Sequence, residues 1–374
     1  MARRLPSIEA GVRSAFSWSL VRLFGGERRV DIPDWRARPY RILFIRDDGI
    51  GDLMVSMELL RAIREVSPTF TLDLLCSPQN AGFARTLPFV NEVIVHKREF
   101  LLKAWPTWRR LRRNRYDVAI DGRVAIGNVN KQTLCLMLST GARWRIGVAG
   151  RRNDRVYNVP VHVDRIDHWV HAYVALGRPF GITENSRDWR ARLRLPEGDR
   201  AEAEATWNRV GGRPRIVVNP YSASIDRTWP PERFRPVLAR AKERLPEATI
   251  VIPTMPAGDP ASEALARDVG AVALPLTFPQ VTALVATADL VVSPDTAITV
   301  IASAFEVPVL ALMRRNTEQW VPYRVEGRVA FSDDPRTIQE MPPQRVIDAL
   351  DDVIDDVGVR RGWPMITARD AATR

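Results

Sequence analysis

With 374 residues, the chain is longer than one hydrophobic core usually supports, so two domains of roughly 150 to 200 residues are expected. Its 45% hydrophobic and 26% charged residues are ordinary globular values, which exclude a fibre and a wholly disordered chain. The 55 lysines and arginines against 44 acidic residues give a net charge of +11, which favours nucleic acid, acidic lipid headgroups or phosphorylated glycans as partners.

The cysteines and the hydropathy pattern bear on the compartment. Cys76 and Cys135 both lie in apolar segments, which fits a reducing cytoplasm better than a disulfide framework or a metal site. Because no uninterrupted apolar run reaches the length of a membrane span, we expect a soluble or peripheral protein.

The first segment, residues 1–39, is predicted to be a basic amphipathic extension. Its apolar side chains recur every three or four positions with arginines between them, a pattern typical of a helix at a membrane interface. A helix packed against its own domain fits the pattern equally well. The segment does not resemble a signal peptide, because its apolar residues are interrupted.

Residues 40–190 are predicted to form an α/β domain. It opens with a buried strand over 40–46, a turn with two glycines and a helix from Asp52. Further strands are predicted over 70–76, 92–96 and 116–120. The turn lacks the third glycine of the dinucleotide-binding fingerprint, so an oxidoreductase is disfavoured.

Two basic stretches follow. Residues 97–115 form a predicted helical region in which eight basic residues accompany Trp105 and Trp108. Residues 141–167 are predicted to be a loop-rich stretch with several arginines. Arginines beside indole rings suit phosphate, carboxylate and sugar contacts or a membrane interface, although a solvated helix face is as good an interpretation. His168 and His171 lack a third histidine nearby, so a structural role is favoured over metal binding.

The polar stretch 183–214 is the predicted domain boundary, and residues 191–345 form the second predicted domain. After a strand over 215–219, a loop rich in hydroxyl and guanidinium groups precedes a helix that runs to about residue 245. Such a loop between a strand end and a helix start is suited to holding phosphate oxygens. The residues concerned are Ser222, Ser224, Arg227 and Thr228.

Another strand, turn, helix and strand unit is predicted over 289–312. Asp295 and Thr296 lie where the carboxyl end of the first strand meets the helix, the position at which open α/β sheets bind ligands. A helix cap explains the same two residues. Residues 346–374 are predicted to be a C-terminal helix and a basic tail.

Three of these segments, in this order, resemble glycosyltransferase family 9, the heptosyltransferases of the lipopolysaccharide inner core. They are the strand and turn at 42–53, the loop from Asn219 to Pro230, and the strand and turn at 288–296 with the following helix and strand. The resemblance covers roughly residues 40–350. It implies an α/β fold of the GT-B type, with two Rossmann-like domains facing a central cleft, the acceptor on the N-terminal side and the sugar nucleotide on the C-terminal side.

The resemblance also implies roles for individual residues. The aspartate of the family's Gly-Asp pair is the catalytic base of an inverting transfer, and it matches Asp52 here, with Asp48 as the rival in the same loop. A helix N-cap is the alternative interpretation of Asp52. A lysine that commonly meets the donor diphosphate in the family corresponds to Arg227. The remaining residues expected to bind the donor are Ser222, Ser224, Thr228, Asp295, Thr296 and Ala297.

The acceptor residues are a separate expectation. The acceptor is expected to contact Asp48, Gly51, Lys103, Arg109 and Arg112, and more generally the basic clusters at 97–115 and 143–155. The sequence departs from the family where a glycine and a histidine are usual, since Ala297 and Val300 stand there, and this departure bears on how the donor is held.

The predicted function is therefore transfer of heptose, or a related sugar, from a nucleotide sugar such as ADP-heptose to an anionic lipopolysaccharide acceptor. No cofactor or required metal is predicted. The expected location is the cytoplasmic side of the inner membrane, peripherally bound. The alternatives are a protein acceptor and a noncatalytic GT-B scaffold at the membrane. Nucleic-acid binding rests on net charge alone, without a recognition motif, so nucleic acid is not a predicted partner.

Overall fold

The computed structural model describes residues 29–97, 103–124, 129, 131–150, 154–164 and 167–366. The chain divides into two compact units, of which the first ends at Trp189 and the second begins at Arg190. The predicted interfacial helix within residues 1–30 and the basic tail beyond residue 366 lie largely or wholly outside the described residues. Within the described ranges, no helix combines the length and the apolar character that crossing a membrane requires.

The described part of the first unit contains a sheet of six parallel strands in the order β3-β2-β1-β4-β5-β6. The strands are β1 Arg41–Arg46, β2 Thr71–Cys76, β3 Glu92–Val95, β4 Val118–Asp121, β5 Trp144–Val148 and β6 Val159–Val161. The helices described between them are α1 Ile50–Val66, α2 Ala81–Ala84, α3 Trp105–Arg113, α4 Lys131–Ser139 and α5 Val170–Gly177.

The described part of the second unit repeats this arrangement, with six parallel strands in the order β12-β11-β10-β7-β8-β9. The strands are β7 Arg215–Val218, β8 Thr249–Thr254, β9 Val272–Pro275, β10 Leu290–Pro294, β11 Val309–Arg314 and β12 Gly327–Ser332. The helices are α6 Glu197–Val210, α7 Pro231–Arg244, α8 Pro260–Val269, α9 Phe278–Ala286, α10 Ala297–Ala304 and α11 Pro343–Val353, followed by a π-helical turn at Ile354–Gly358 and a short helix at Val359–Arg361.

In both units the chain order reverses between the first and fourth strands, so each sheet has a topological switch point. The loops after β1 and β4 meet at the switch point of the first sheet, and those after β7 and β10 meet at that of the second. The predicted Asp52 turn follows β1 and the predicted Asp295 turn follows β10. The two predicted sites therefore lie where open parallel sheets bind their ligands.

The central strands are buried on both faces, which explains why they are uninterrupted apolar runs. In β1 the four residues between Arg41 and Arg46 are completely buried. The second core includes side chains of α11, among them Val346 and Leu350, and it extends to Trp363. The C-terminal helix, which begins at Pro343, is thus part of the second unit.

The stretch 141–167, predicted to be rich in loops, also contains β5 and β6, which the sequence pattern did not indicate. Arg145 interrupts the apolar pattern of β5, and its side chain is buried rather than exposed to ligands. Its Nε donates to the Val156 carbonyl at 2.8 Å and its Nη1 to the Ala142 carbonyl at 3.0 Å, so local backbone groups compensate its burial. Arg145 is therefore removed from the predicted acceptor cluster.

Candidate active site

The loop after β1 brings three carboxylates to the carboxyl edge of the first sheet. Asp47 and Asp48 follow the strand directly, and Asp52 is the third residue of α1. The loop is fixed from the segment that follows β2, because the Asn80 side-chain amide donates to the carbonyls of Arg46 and Asp48, both at 3.2 Å. A rigid loop of this kind holds its side chains in defined positions.

Arg46, the last residue of β1, is the cation around which the loop is built. Its side chain is 2% exposed, and its guanidinium lies 3.1 Å from Asp48 Oδ2 and 3.0 Å from Asp52 Oδ1. It also donates to the Gly122 carbonyl at 2.7 Å. Although burial by itself disfavours the charged form, the neighbouring carboxylates, with Asp48 the foremost, raise the pKa of Arg46 above its usual value. Arg46 is therefore a permanent buried cation.

Asp48 and Asp52 differ in their environments. Burial raises the pKa of Asp48 to about 7, against the opposing influence of Arg46 and with a further upward contribution from Asp52 and Asp47. One oxygen of Asp48, Oδ1, is buried without a hydrogen-bond partner among the described residues. Asp52 accepts from the Gly49 N–H at 3.2 Å and its side chain is 34% exposed.

Asp52 thus closes the first turn of α1, but it does so as the third helical residue, while Gly49 is the N-cap. The helix-stabilising interpretation and the catalytic one are compatible, because the exposed part of the carboxylate remains open to solvent. Gly51, predicted to contact the acceptor, lies one residue before it on the first turn of α1 and is partly exposed.

The end of β4 adds residues that the sequence reasoning did not identify. Arg123 Nε lies 3.0 Å from Asp47 Oδ1 and 3.9 Å from Asp48 Oδ2, so a second arginine joins the cluster. The Tyr157 hydroxyl donates to Asp121 Oδ2 at 2.5 Å. The sequence feature that could have identified these residues is the position of Asp121-Gly-Arg123 at the end of a predicted strand.

Gly122 is required by close packing at this point. A Cβ there would lie 2.4 Å from the Phe44 ring and 3.0 Å from the Ile45 carbonyl oxygen, distances that a side chain cannot occupy without displacing β1. The close approach also lets the Gly122 carbonyl accept the Arg46 hydrogen bond.

In the second unit, the loops after β7 and β10 meet through Arg227 and Asp295. Arg227 Nη1 lies 3.5 Å from Asp295 Oδ2 and donates to the Asp295 carbonyl at 3.3 Å. The Arg227 side chain is 33% exposed. The remaining N–H groups of this guanidinium have no partner among the described residues, so they are available to an anion.

Asn219, the residue after β7, ties the two loops together. Its side-chain amide donates to Ser293 Oγ at 2.9 Å and to Thr296 Oγ1 at 3.3 Å. Thr296 is the N-cap of α10, where Oγ1 accepts from the Ile298 N–H at 3.3 Å. The cap interpretation is therefore right for Thr296, whereas Asp295 pairs with Arg227. Ala297 is the first helical residue, a position that accepts alanine without strain.

The other predicted donor residues stabilise the loop itself. Ser222 Oγ accepts from the Ser224 N–H at 3.3 Å, and Thr228 Oγ1 donates to the Ser224 carbonyl at 3.0 Å. These bonds order the segment that carries Arg227 and leave acceptor and donor capacity on the hydroxyl groups.

The predicted acceptor arginines are not brought together with Asp52. Arg110, on α3, pairs with Glu92, the first residue of β3, which places the C-terminal half of α3 at the amino edge of the sheet. Arg109 and Arg112 flank Arg110 on this helix. The Asp52 loop follows the carboxyl end of β1, whereas Glu92 is in register, through Asp73 of β2, with Leu43, three residues before that end.

Lys103 precedes α3 and lies nearer the carboxyl edge, because Thr107 on the first half of α3 is 3.4 Å from the ring of His96, which follows β3.

The histidines His168 and His171 make structural contacts: His168 Nδ1 accepts from the Val170 N–H at 3.0 Å, and His171 Nδ1 is 2.5 Å from Asp167. In the ranges that the structure describes, no cluster of three or more His, Cys, Asp or Glu side chains could hold a metal ion.

Two parallel α/β units, each with the same strand order, define the GT-B class of glycosyltransferase folds. The structure of Escherichia coli ADP-heptose lps heptosyltransferase II matches with a TM-score of 0.64 and 18% identity, over 85% of this chain and 99% of that one. The structure of E. coli heptosyltransferase WaaC with ADP matches with a TM-score of 0.61 and 16% identity, over 84% of this chain and 98% of that one.

Sequence comparison identifies the family. Residues 104–340, more than half of the chain, match the model of glycosyltransferase family 9 (heptosyltransferase). The lipopolysaccharide core heptosyltransferase OpsX of Haemophilus influenzae is 19% identical over 305 residues, which are 78% of this chain and 84% of OpsX. The chain belongs to glycosyltransferase family 9, and the predicted family, fold and enzyme class are confirmed.

Proposed function

We propose that this protein is an inverting glycosyltransferase that moves heptose, or a related sugar, from ADP-heptose to a lipopolysaccharide inner-core acceptor. The names of its relatives support the donor and acceptor classes. The observation that carries the proposal concerns the two switch points. Each of them carries the chemical group that one half of the reaction requires. These groups are the solvent-accessible carboxylate of Asp52 and the partly unpaired guanidinium of Arg227.

On the first unit, Asp52 is the proposed general base. Its carboxylate takes the proton from the acceptor hydroxyl, whose oxygen forms the new bond to the anomeric carbon of the sugar. The bond from that carbon to the diphosphate oxygen breaks, the electron pair leaves with the nucleoside diphosphate, and the anomeric configuration inverts. Arg46 keeps Asp52 oriented through its 3.0 Å ion pair. Asp48, Gly51 and Lys103 are the proposed acceptor contacts on this side.

On the second unit, Arg227 is proposed to hold the donor diphosphate and to stabilise the charge that develops as it leaves. Asp295 orients the guanidinium, and Thr296 and Ala297 present the start of α10 to the same anion. The hydroxyl groups of Ser222, Ser224 and Thr228 supply further hydrogen bonds. Because Arg227 provides the positive charge, no metal or cofactor is part of the proposal.

We also place the enzyme at the cytoplasmic face of the inner membrane, where a lipid-linked acceptor is accessible. A protein acceptor uses the same chemistry, and a noncatalytic scaffold retains the fold without transfer. The transfer assay below distinguishes the enzyme from the scaffold, and supplying either a lipid-linked glycan or a protein distinguishes the acceptors.

The test is transfer from ADP-heptose by the wild type and by Asp52→Asn, which keeps the shape of the side chain and removes its basicity. We expect the variant to retain its melting temperature and lose about 10²- to 10⁴-fold in kcat. Asp48→Asn removes the rival carboxylate of the same loop, and it is expected to lose less transfer than Asp52→Asn because it weakens an acceptor contact and leaves the proposed base in place. Wild-type transfer by Asp52→Asn, or loss only in Asp48→Asn, would identify a different base.

A further inference from the structure

Helix α3, Trp105–Arg113, presents a basic surface that the proposed reaction does not use. It carries four arginines and no acidic residue. Arg110 pairs with Glu92, whereas Arg109, Arg112 and Arg113 have no ion-pair or hydrogen-bond partner among the described residues. Unpaired arginines concentrated on one exposed helix create a local positive potential that selects for an anionic partner.

The geometry of this surface is a stripe along the helix. Trp105, Arg109 and Arg113 are each four residues apart, so they lie on one face. They line an open groove of about 430 Å³ together with Pro106, Arg110 and Asn114. Trp105 is 62% exposed, an unusual degree for an indole ring in a folded protein. We call these three residues the α3 stripe.

The opposite side of the helix is already occupied. Leu111 is completely buried in the core of the first unit and Trp108 packs against that core. The helix therefore cannot sink into a bilayer, and Trp105 and Pro106 are the apolar side chains of α3 that are exposed and can enter a headgroup layer. Such a surface predicts shallow attachment dominated by electrostatics, with an indole ring at the level where aromatic rings are favoured.

We propose that the α3 stripe is a docking surface for anionic phospholipid headgroups. The charge and the exposed indole ring together favour a membrane surface, since each arginine near an acidic leaflet contributes to binding and the ring adds interfacial contact. The C-terminal half of the helix lies at the amino end of β3, whereas the Asp52 loop follows the carboxyl end of β1, so the stripe is separate from the reacting groups. The inference deepens the proposed function by naming the surface that holds the enzyme at the membrane.

The experiment is sedimentation of the full-length protein with vesicles, without donor or acceptor. Vesicles of equimolar phosphatidylglycerol and phosphatidylcholine are compared with pure phosphatidylcholine over a series of salt concentrations. We expect binding only to the anionic vesicles and progressive loss with salt. Arg109→Gln combined with Arg113→Gln is expected to weaken binding roughly 10- to 30-fold, and Trp105→Ala about threefold to tenfold.

The matched control is Arg200→Gln combined with Arg209→Gln. These arginines are exposed on α6 in the second unit, so the control removes the same charge from another helix. It is expected to bind anionic vesicles within about twofold of the wild type. Residues 1–39, with their predicted amphipathic character, are unchanged in every variant, so undiminished binding by the α3 variants would assign attachment elsewhere and overturn the proposal.

Two further outcomes also overturn it. The first is absence of wild-type binding to anionic vesicles. The second is an Arg109→Gln and Arg113→Gln variant that loses transfer to a lipid-free acceptor as strongly as it loses vesicle binding, which would assign the arginines to the acceptor instead. Vesicle binding is measured without turnover, so an inactive but membrane-bound protein would contradict the proposed function and leave the docking surface supported.

Discussion

The carboxyl ends of β1 and β7 occupy the same position in two sheets of the same strand order, but the arginines near these two ends are in opposite environments. Arg46 is 2% exposed and is held between Asp48 and Asp52. Arg227 is 33% exposed and faces the single carboxylate of Asp295. The guanidinium of Arg46 is bound by carboxylates of the protein itself, whereas that of Arg227 retains hydrogen-bond donors for a ligand.

The difference shows how one topology supplies two kinds of site. A buried cation that binds several carboxylates fixes their positions, which is useful for a base. A half-exposed cation at the start of a helix can accept a phosphate without first losing a strong partner. The switch point determines where each site is, and the burial of the arginine determines what the site can do.

Removing Arg46 is expected to have the largest effect. In Arg46→Met, Asp48 and Asp52 lose their common partner in a poorly solvated loop, so we expect a loss of about 3–5 kcal/mol in the free energy of unfolding. Urea denaturation measures it. Arg227→Met is the matched control in the second unit, where the half-exposed ion pair predicts a change of less than about 1 kcal/mol. Equal losses in both variants would contradict the distinction between the two arginines.

Arg227 should instead matter for ligand binding. We expect Arg227→Met to weaken ADP binding about 10- to 100-fold, since a hydrogen bond to a charged group contributes roughly 1.5–3 kcal/mol. The measurement is the rise in melting temperature with ADP, compared with UDP, GDP and CDP, because a ligand of the folded state stabilises it. Arg227→Lys, which keeps the charge and loses the bidentate geometry, should lie between the two. Undiminished stabilisation by ADP in Arg227→Met would remove this residue from the donor site.

The contrast between local sequence patterns and long-range contacts explains what could be predicted from the sequence. Strands such as β1 and β10 are apolar runs ended by turns, so periodicity alone located them, and with them the Asp52 and Asp295 turns. Within the loop-rich stretch 141–167, β5 was missed because it contains Arg145, whose buried charge is compensated by backbone carbonyls. A local pattern cannot show that a distant carbonyl will accept a hydrogen bond.

The cluster around Arg46 shows a second limit. Sequence patterns identified Asp48 and Asp52 but not the arginine beside them, because an arginine at the end of a strand is usually exposed. Arg123 was missed for a related reason, since its distance from Asp47 depends on β4 pairing next to β1. Long-range strand order, rather than residue type, assembles the cluster.

The smallest predicted effect is a pH dependence of stability caused by Asp48. Burial raises the pKa of Asp48 from its ordinary value of 3.8 to about 7 in the folded protein, so folding favours its protonated form. This stabilisation is complete below about pH 4 and is lost progressively as the pH rises through about 7. Asp48→Asn is neutral at every pH and does not lose it.

We therefore expect the stability of Asp48→Asn relative to the wild type to increase between pH 5 and pH 8, by ~1–2 kcal/mol. That value is below the full effect of the pKa difference because the Asp48 side chain is 24% exposed and pairs with Arg46. Urea denaturation at each pH measures the difference, with Asp295→Asn as the control carboxylate in the second unit. A pH-independent difference would mean that Asp48 is ionised throughout, in which case the influence of Arg46 on its carboxylate outweighs that of burial.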